Sequence, residues 1–141
     1  MRVVDANVLL YAINQDAVHH EAARRWLNAA LNAQEPVGFT WIVLLAFVRL
    51  STSAAVLPHP LDVDKATSTV DAWLGRPNAV LLEPRAGHLS RLRELLAATG
   101  AAGNLVNDAH IAAIAVDNKA TVVSYDNDFS RFPGVRWEMP A

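Results

Sequence analysis

Three aspartates carry most of the chemistry this sequence offers. Asp5 follows Val3 and Val4 and precedes an apolar stretch that reaches Ile13, Asp108 stands near the start of an alanine- and isoleucine-rich run, and Asp126 lies in the segment SYDNDF together with Asp128. Each has an ordinary reading. An Asp between a strand and a helix is a preferred N-cap, an Asp in a first helical turn complements the helix dipole, and Asp and Asn in a tight segment bond their own backbone to make turns. The turn reading is the stronger one for Asp128. Taken together, the acids do something else: carboxylates gathered within a few ångströms repel one another and hold their protons unless a cation neutralises them. Magnesium suits such a site, because it takes hard oxygen ligands in an octahedron and needs only a few carboxylates beside its waters. In phosphodiester hydrolysis an ion of this kind orients the phosphate, lowers the pKa of the attacking water and stabilises the leaving oxygen. No His or Cys nucleophile is then required.

The elements must bring these acids to one place. Val3 and Val4 begin a short strand that ends at Asp5, and Val8, Leu9, Leu10, Ala12 and Ile13 continue at helical spacing. An amphipathic helix is expected from Val18 to Leu31, a brief strand from Pro36 to Thr40, and an apolar helix from about Trp41 to Thr52, ended by the Pro58-His59-Pro60 breaker. Asp62 can cap a further helix that stops near Gly75 and Pro77. A strand at Ala79 to Leu82, a helix from about Ala86 to Ala98, a turn at Gly100 and Gly103, a helix from about Leu105 to Asp117 and a strand at Thr121 to Ser124 complete the order. This alternation predicts an α/β fold: a short central parallel sheet flanked by helices on both faces. In open sheets of this kind the functional crevice lies beyond the carboxyl ends of the strands, which is where Asp5 and Asp126 fall. A carboxylate at Asp5, set among apolar neighbours, is expected to be partly buried and to need a donor or a cation. Asp108 shares a helical stripe with Leu105, Ala112 and Ala115, pointing it toward the sheet. His110 lies about 200° around that helix and reads as a surface or packing histidine.

Composition sets the limits. The 141 residues fit one domain, 1–141, and their net charge of -2 means that any nucleic-acid contact must come from a local basic patch. Arg24, Arg25, Arg85, Arg91 and Arg93 are available for it, while Arg49 and Arg131 could approach a phosphate backbone or pair with the carboxylates, solvated or structural arginine being the alternative. Trp26, Trp41 and Trp73 fall on helix stripes and read as core or interface; Trp137 is left open. Cysteine is absent, which excludes disulfides and thiolate metal sites. The longest apolar run, Trp41 to Val48, is far short of the about 20 residues that cross a bilayer. No secretory signal is recognisable at the N-terminus, and a cytoplasmic location is expected.

Three segments, VDANVLLYA from Val4 to Ala12, NDAHIAAIA from Asn107 to Ala115 and TVVSYDNDFSRFPG from Thr121 to Gly134, stand in an order and spacing that resemble the PIN-domain ribonucleases, specifically the VapC-type toxins of bacterial toxin-antitoxin pairs. The resemblance covers nearly the whole chain, and FTWIVLLAFVRLST from Phe39 to Thr52 is similar to a further region of an actinobacterial subgroup. It implies metal-binding, catalytic acids at Asp5, Asp108 and Asp126, with Asn7, Ser124 and Asp128 in support. It also implies Mg²⁺ as cofactor, with Mn²⁺ able to substitute, structured RNA (tRNA or rRNA) as substrate, a homodimer, and a cognate VapB-type antitoxin that obstructs the acidic site. The family often places one more Glu on the helix from Trp41 to Thr52; this chain has no acid there, and Ala46 occupies the corresponding position. A one-metal resting site is the expectation. Two other readings compete: a PIN fold that keeps RNA or antitoxin binding without turnover, and an α/β phosphatase with Asp5 as nucleophile. The phosphatase would want an Asp-x-Asp pair, and Asn7 stands at its second position.

Overall fold

The computed structural model describes residues 1–100 and 102–141, so Ala101, within the turn expected between Gly100 and Gly103, lies outside the described residues. Five short runs form strands: Arg2–Val4 (β1), Val37–Thr40 (β2), Ala79–Leu82 (β3), Thr121–Val123 (β4) and Arg136–Glu138 (β5). They make one sheet in the order β3-β2-β1-β4-β5, with every neighbouring pair parallel. Six α-helices connect them: Ala6–Ile13 (α1), His20–Leu31 (α2), Trp41–Ser51 (α3), Val63–Leu74 (α4), His88–Thr99 (α5) and Val106–Asp117 (α6). From β1 the chain moves outward to β2 and β3, then crosses back to β4. With right-handed crossovers, that reversal puts α1 to α4 on one face and α5 and α6 on the other. The packing follows the division, α1 meeting α2 and α3, α3 meeting α4, and α5 meeting α6.

Burial on both faces explains why the inner strands are apolar runs rather than alternating ones. Val3, Val4, Val122 and Val123 are wholly buried, with Leu9, Phe39, Phe47 and Ile114 packed around them. Trp73, expected in the core or an interface, is in the core, its ring centroid 4.7 Å from that of Phe47 in an edge-on contact. Gly38 is required by close approach: a Cβ there would sit 2.6 Å from Leu82 Cδ1 and 3.1 Å from Val3 Cγ2. Asp62 caps α4 as expected, accepting from the Lys65 amide at 2.7 Å.

Two expectations change. The second helix begins at His20 and not at Val18, whose side chain is 95% exposed. The chain is still turning there, since Asn14 Oδ1 accepts from the Asp16 amide and the Asn14 carbonyl from Ala17. β5 has no counterpart in the sequence reading. Its three residues, Arg-Trp-Glu, are too few for a periodic signal, and their strand geometry comes from pairing with β4.

Candidate metal centre

β1 and β4 are parallel neighbours at the point where the strand order reverses, so a crevice opens beyond their carboxyl ends. Asp5 stands there as the N-cap of α1, its Oδ1 accepting from the Ala6 amide at 2.8 Å. The capping role is real, but it uses one oxygen. Ser124, the residue after β4, donates its hydroxyl to Asp5 Oδ2 at 2.6 Å. The same Oγ accepts from Asn7 Nδ2 at 3.1 Å and from the Asp126 amide at 3.0 Å, which uses the hydroxyl's full capacity. Asn7 also reaches Asp5 Oδ2 at 3.3 Å and accepts from the Tyr125 amide at 3.1 Å. Trp137, left open by the sequence, donates its indole N–H to the Ser124 carbonyl at 2.9 Å, so β5 buttresses the same residue.

Asp126 begins the 3-10 turn Asn127–Arg131 by accepting from the Asp128 amide at 2.9 Å, and that turn curls Asp128 back toward Asp126. α6 delivers Asp108 from its first turn. One carboxylate oxygen from each of Asp108, Asp126 and Asp128 lies within 4.8 Å of the others. The Asp108 carboxyl is pushed up to about 7, first by its burial and then by the charges of Asp126 and Asp5. Burial also raises the Asp5 carboxyl, against the lowering effect of the bonds from Ser124 and Ala6.

The sequence reading named the acids, but the structure groups them differently. Asp128, given a supporting or turn-forming role, does both: its amide makes the turn and its carboxylate joins the cluster. Asp5, expected to need a donor or a cation, is supplied with donors by Ala6, Ser124 and Asn7, and its charge is felt at Asp108. Asn7 and Ser124 are the hydrogen-bonding supports they were expected to be. Arg131 meets Asp128 at 3.8 Å, while Arg49 is exposed and its guanidinium forms no hydrogen bond or ion pair among the described residues. Of the other arginines, Arg24, Arg85 and Arg91 are engaged by neighbours. His110 is a packing histidine, its Nδ1 2.8 Å from Nε2 of His88. Sequence reasoning missed an aromatic trio of Tyr11, His19 and Tyr125, the last lying between Ser124 and Asp126 in the chain; contact between rings this far apart in sequence leaves no local pattern.

The donor set suits a divalent cation. Its atoms are hard carboxylate oxygens, half-buried, gathered closely enough that one acid keeps its proton near neutrality, and a cation would relieve that repulsion.

The chain matches known proteins over nearly its whole length. The PIN domain family model matches residues 2–135. The chain is 51% identical over 140 residues to ribonuclease VapC37 of Mycobacterium tuberculosis, covering 99% of this chain and 97% of that protein. It is 39% identical over 140 residues to VapC ribonuclease Mb2897 of Mycobacterium bovis, at 99% and 95% coverage. Among solved structures, VapBC2 from Rickettsia felis bound to a promoter DNA fragment superposes with a TM-score of 0.71 at 24% identity, covering 98% of this chain and 97% of the other. Mycobacterium tuberculosis VapC20, described as a sarcin-ricin loop cleaving toxin, superposes with a TM-score of 0.70 at 20% identity, covering 96% and 99%.

Proposed function

The chain belongs to the PIN-domain family, and on that premise we propose that it is a metal-dependent endoribonuclease of the VapC kind, a toxin that cuts structured RNA (tRNA or rRNA) in the cytoplasm. The observation that carries the reading is the cluster of Asp108, Asp126 and Asp128 at the carboxyl end of the sheet, with Asp108 held near 7 by burial and its neighbours' charge. The three carboxylates would hold the ion, with Asp5 as the fourth acid of the site; its Oδ1 bonds only the Ala6 amide and keeps a second lone pair. Bound there, Mg²⁺ or Mn²⁺ supplies a positive centre that orients a phosphodiester and makes water a better nucleophile at neutral pH. The protein's part is placement. Ser124 fixes Asp5 and the backbone of Asp126 through one hydroxyl, and Asn7 ties that hydroxyl to the Tyr125 amide, so the acids from β1 and β4 keep a fixed separation. α3 brings no carboxylate, Ala46 standing where the family often has Glu, which favours a single ion in the resting protein.

The partners follow from the same premise: a second copy of the chain, and a small cognate VapB-type antitoxin that obstructs the acids. The structural relatives named as VapBC assemblies support the antitoxin. No helix among the described residues is long and apolar enough to cross a membrane.

Incubating the purified protein with RNA and Mg²⁺ or Mn²⁺ tests the reading. Cleavage should stop on adding EDTA and fall at least about 100-fold in Asp108→Asn. Cleavage that survives either treatment overturns it. Tight antitoxin binding with no cleavage under any metal would instead favour a binding module, the reading that the missing acid on α3 motivates.

A further inference from the structure

Tyr125, which follows Ser124 and precedes Asp126 in the chain, belongs to a group of rings that the metal chemistry does not use. Its backbone amide is held by Asn7, so its backbone belongs to the network that places the carboxylates. The His19 imidazole stacks on it, centroids 4.3 Å apart and planes inclined by only 12°. Tyr11 closes the group with centroids 5.5 Å from Tyr125 and 6.0 Å from His19.

His19 is oddly employed. It occupies the N-cap position of α2, where Ser, Thr, Asp or Asn would bond the first turn, yet its side chain makes no capping bond. Its neighbour His20 does the anchoring, with Nδ1 2.8 Å from the Tyr11 carbonyl. The residue is exposed, one face of its ring is covered by Tyr125, and Tyr11 meets it at a tilt of 38°. The Tyr125 hydroxyl is buried without a hydrogen-bond partner among the described residues, so ring stacking and not a polar tether holds the pair.

An exposed imidazole stacked on a tyrosine that is next in sequence to one of the acids matches how proteins hold unpaired bases, by stacking them on aromatic side chains. We propose that His19, backed by Tyr125 and Tyr11, is a nucleobase platform: an unpaired base of the RNA next to the scissile phosphate stacks on the exposed His19 ring and sets which bond meets the acids. The proposal rests on the ribonuclease reading for its substrate. It adds a residue that selects for unstacked nucleotides by shape and not by base identity, since every base has a π-face.

The test uses RNA hairpins of the kind the protein is proposed to cut, carrying 2-aminopurine at successive unpaired loop positions and bound to the full chain in the Asp108→Asn background. At one position the fluorescence should be quenched on binding. His19→Ala should remove the quench, and His19→Phe, which keeps the ring and loses the imidazole nitrogens, should restore it. In the active protein, His19→Ala should raise KM about tenfold with little change in kcat, and an abasic nucleotide at the quenched position should impose the same loss on wild type but none on His19→Ala. Quenching without cleavage in wild type would keep the platform and overturn the nuclease. Cleavage with no quenching, or a KM unmoved by His19→Ala, would overturn the platform and keep the nuclease.

Discussion

At the scale of single residues, the centre is a conflict between burial and charge that an ion would resolve. Asp108 titrates near 7 in the folded protein against an ordinary 3.8. Between those values the folded state binds the proton that the unfolded chain has released. This contribution to stability is therefore fully present below about 3.8 and is lost as pH rises through about 7. In EDTA the melting temperature should fall across that window. Asp108→Asn should flatten the slope and raise the melting temperature at pH 8, and added Mg²⁺ should flatten it in wild type. An equal slope in the variant would show that the repulsion lies elsewhere. Ser124→Ala probes the support: it strips the short donor from a buried carboxylate, which should cost about 1–3 kcal/mol in denaturant unfolding and reduce metal affinity about 10–100-fold in a calorimetric titration. The identities of Asp5, Asp108 and Asp126 were legible because acid type and position relative to strand ends are local facts. The side-chain donors to Asp5 were legible only through the family resemblance, since Ser124 lies 119 residues away, and the place of Asp128 depends on a turn that does two things at once.

At the scale of elements, most of the fold could be read from periodicity, and the exceptions have physical causes. Four strands and six helices follow from apolar runs, stripes, caps and breakers. β5 is the exception, being shorter than any pattern, and the start of α2 is displaced by the Asn14 turn. Gly38 was silent in the sequence but is constrained in space. Gly38→Ala should drive a methyl into Leu82 and Val3, costing about 1–3 kcal/mol through overpacking. Urea unfolding measures this, and a variant as stable as wild type would mean that Leu82 swings aside without penalty.

At the scale of the whole molecule, one surface stands out. Between α3 and α4 runs a groove of about 560 Å³ lined by Leu44, Val48, Val70 and Leu74, and Leu45 and Trp41 on its rim are 62% and 48% exposed. On the homodimer reading this face is the place to look for the second copy. Leu45→Asp, at a site already solvated, should change stability by less than roughly 0.5 kcal/mol yet shift the chain toward monomer in sedimentation. An unchanged mass would move the interface elsewhere. The sequence placed Trp41 and Leu45 on α3 but not their exposure, which depends on how α3 packs in the folded chain. The wiring of Asp5 to Ser124 has a consequence for synthesis. Asp5 is made 119 residues before the hydroxyl that steadies it, and the two acids that follow that hydroxyl are made later still. A stalled chain ending at Asp117 should therefore cut no RNA at any Mg²⁺ concentration, which an in vitro translation arrest can check. A cell making this protein would face no partly armed intermediate on its own ribosomes, and an inhibitor would have until β4 docks to arrive.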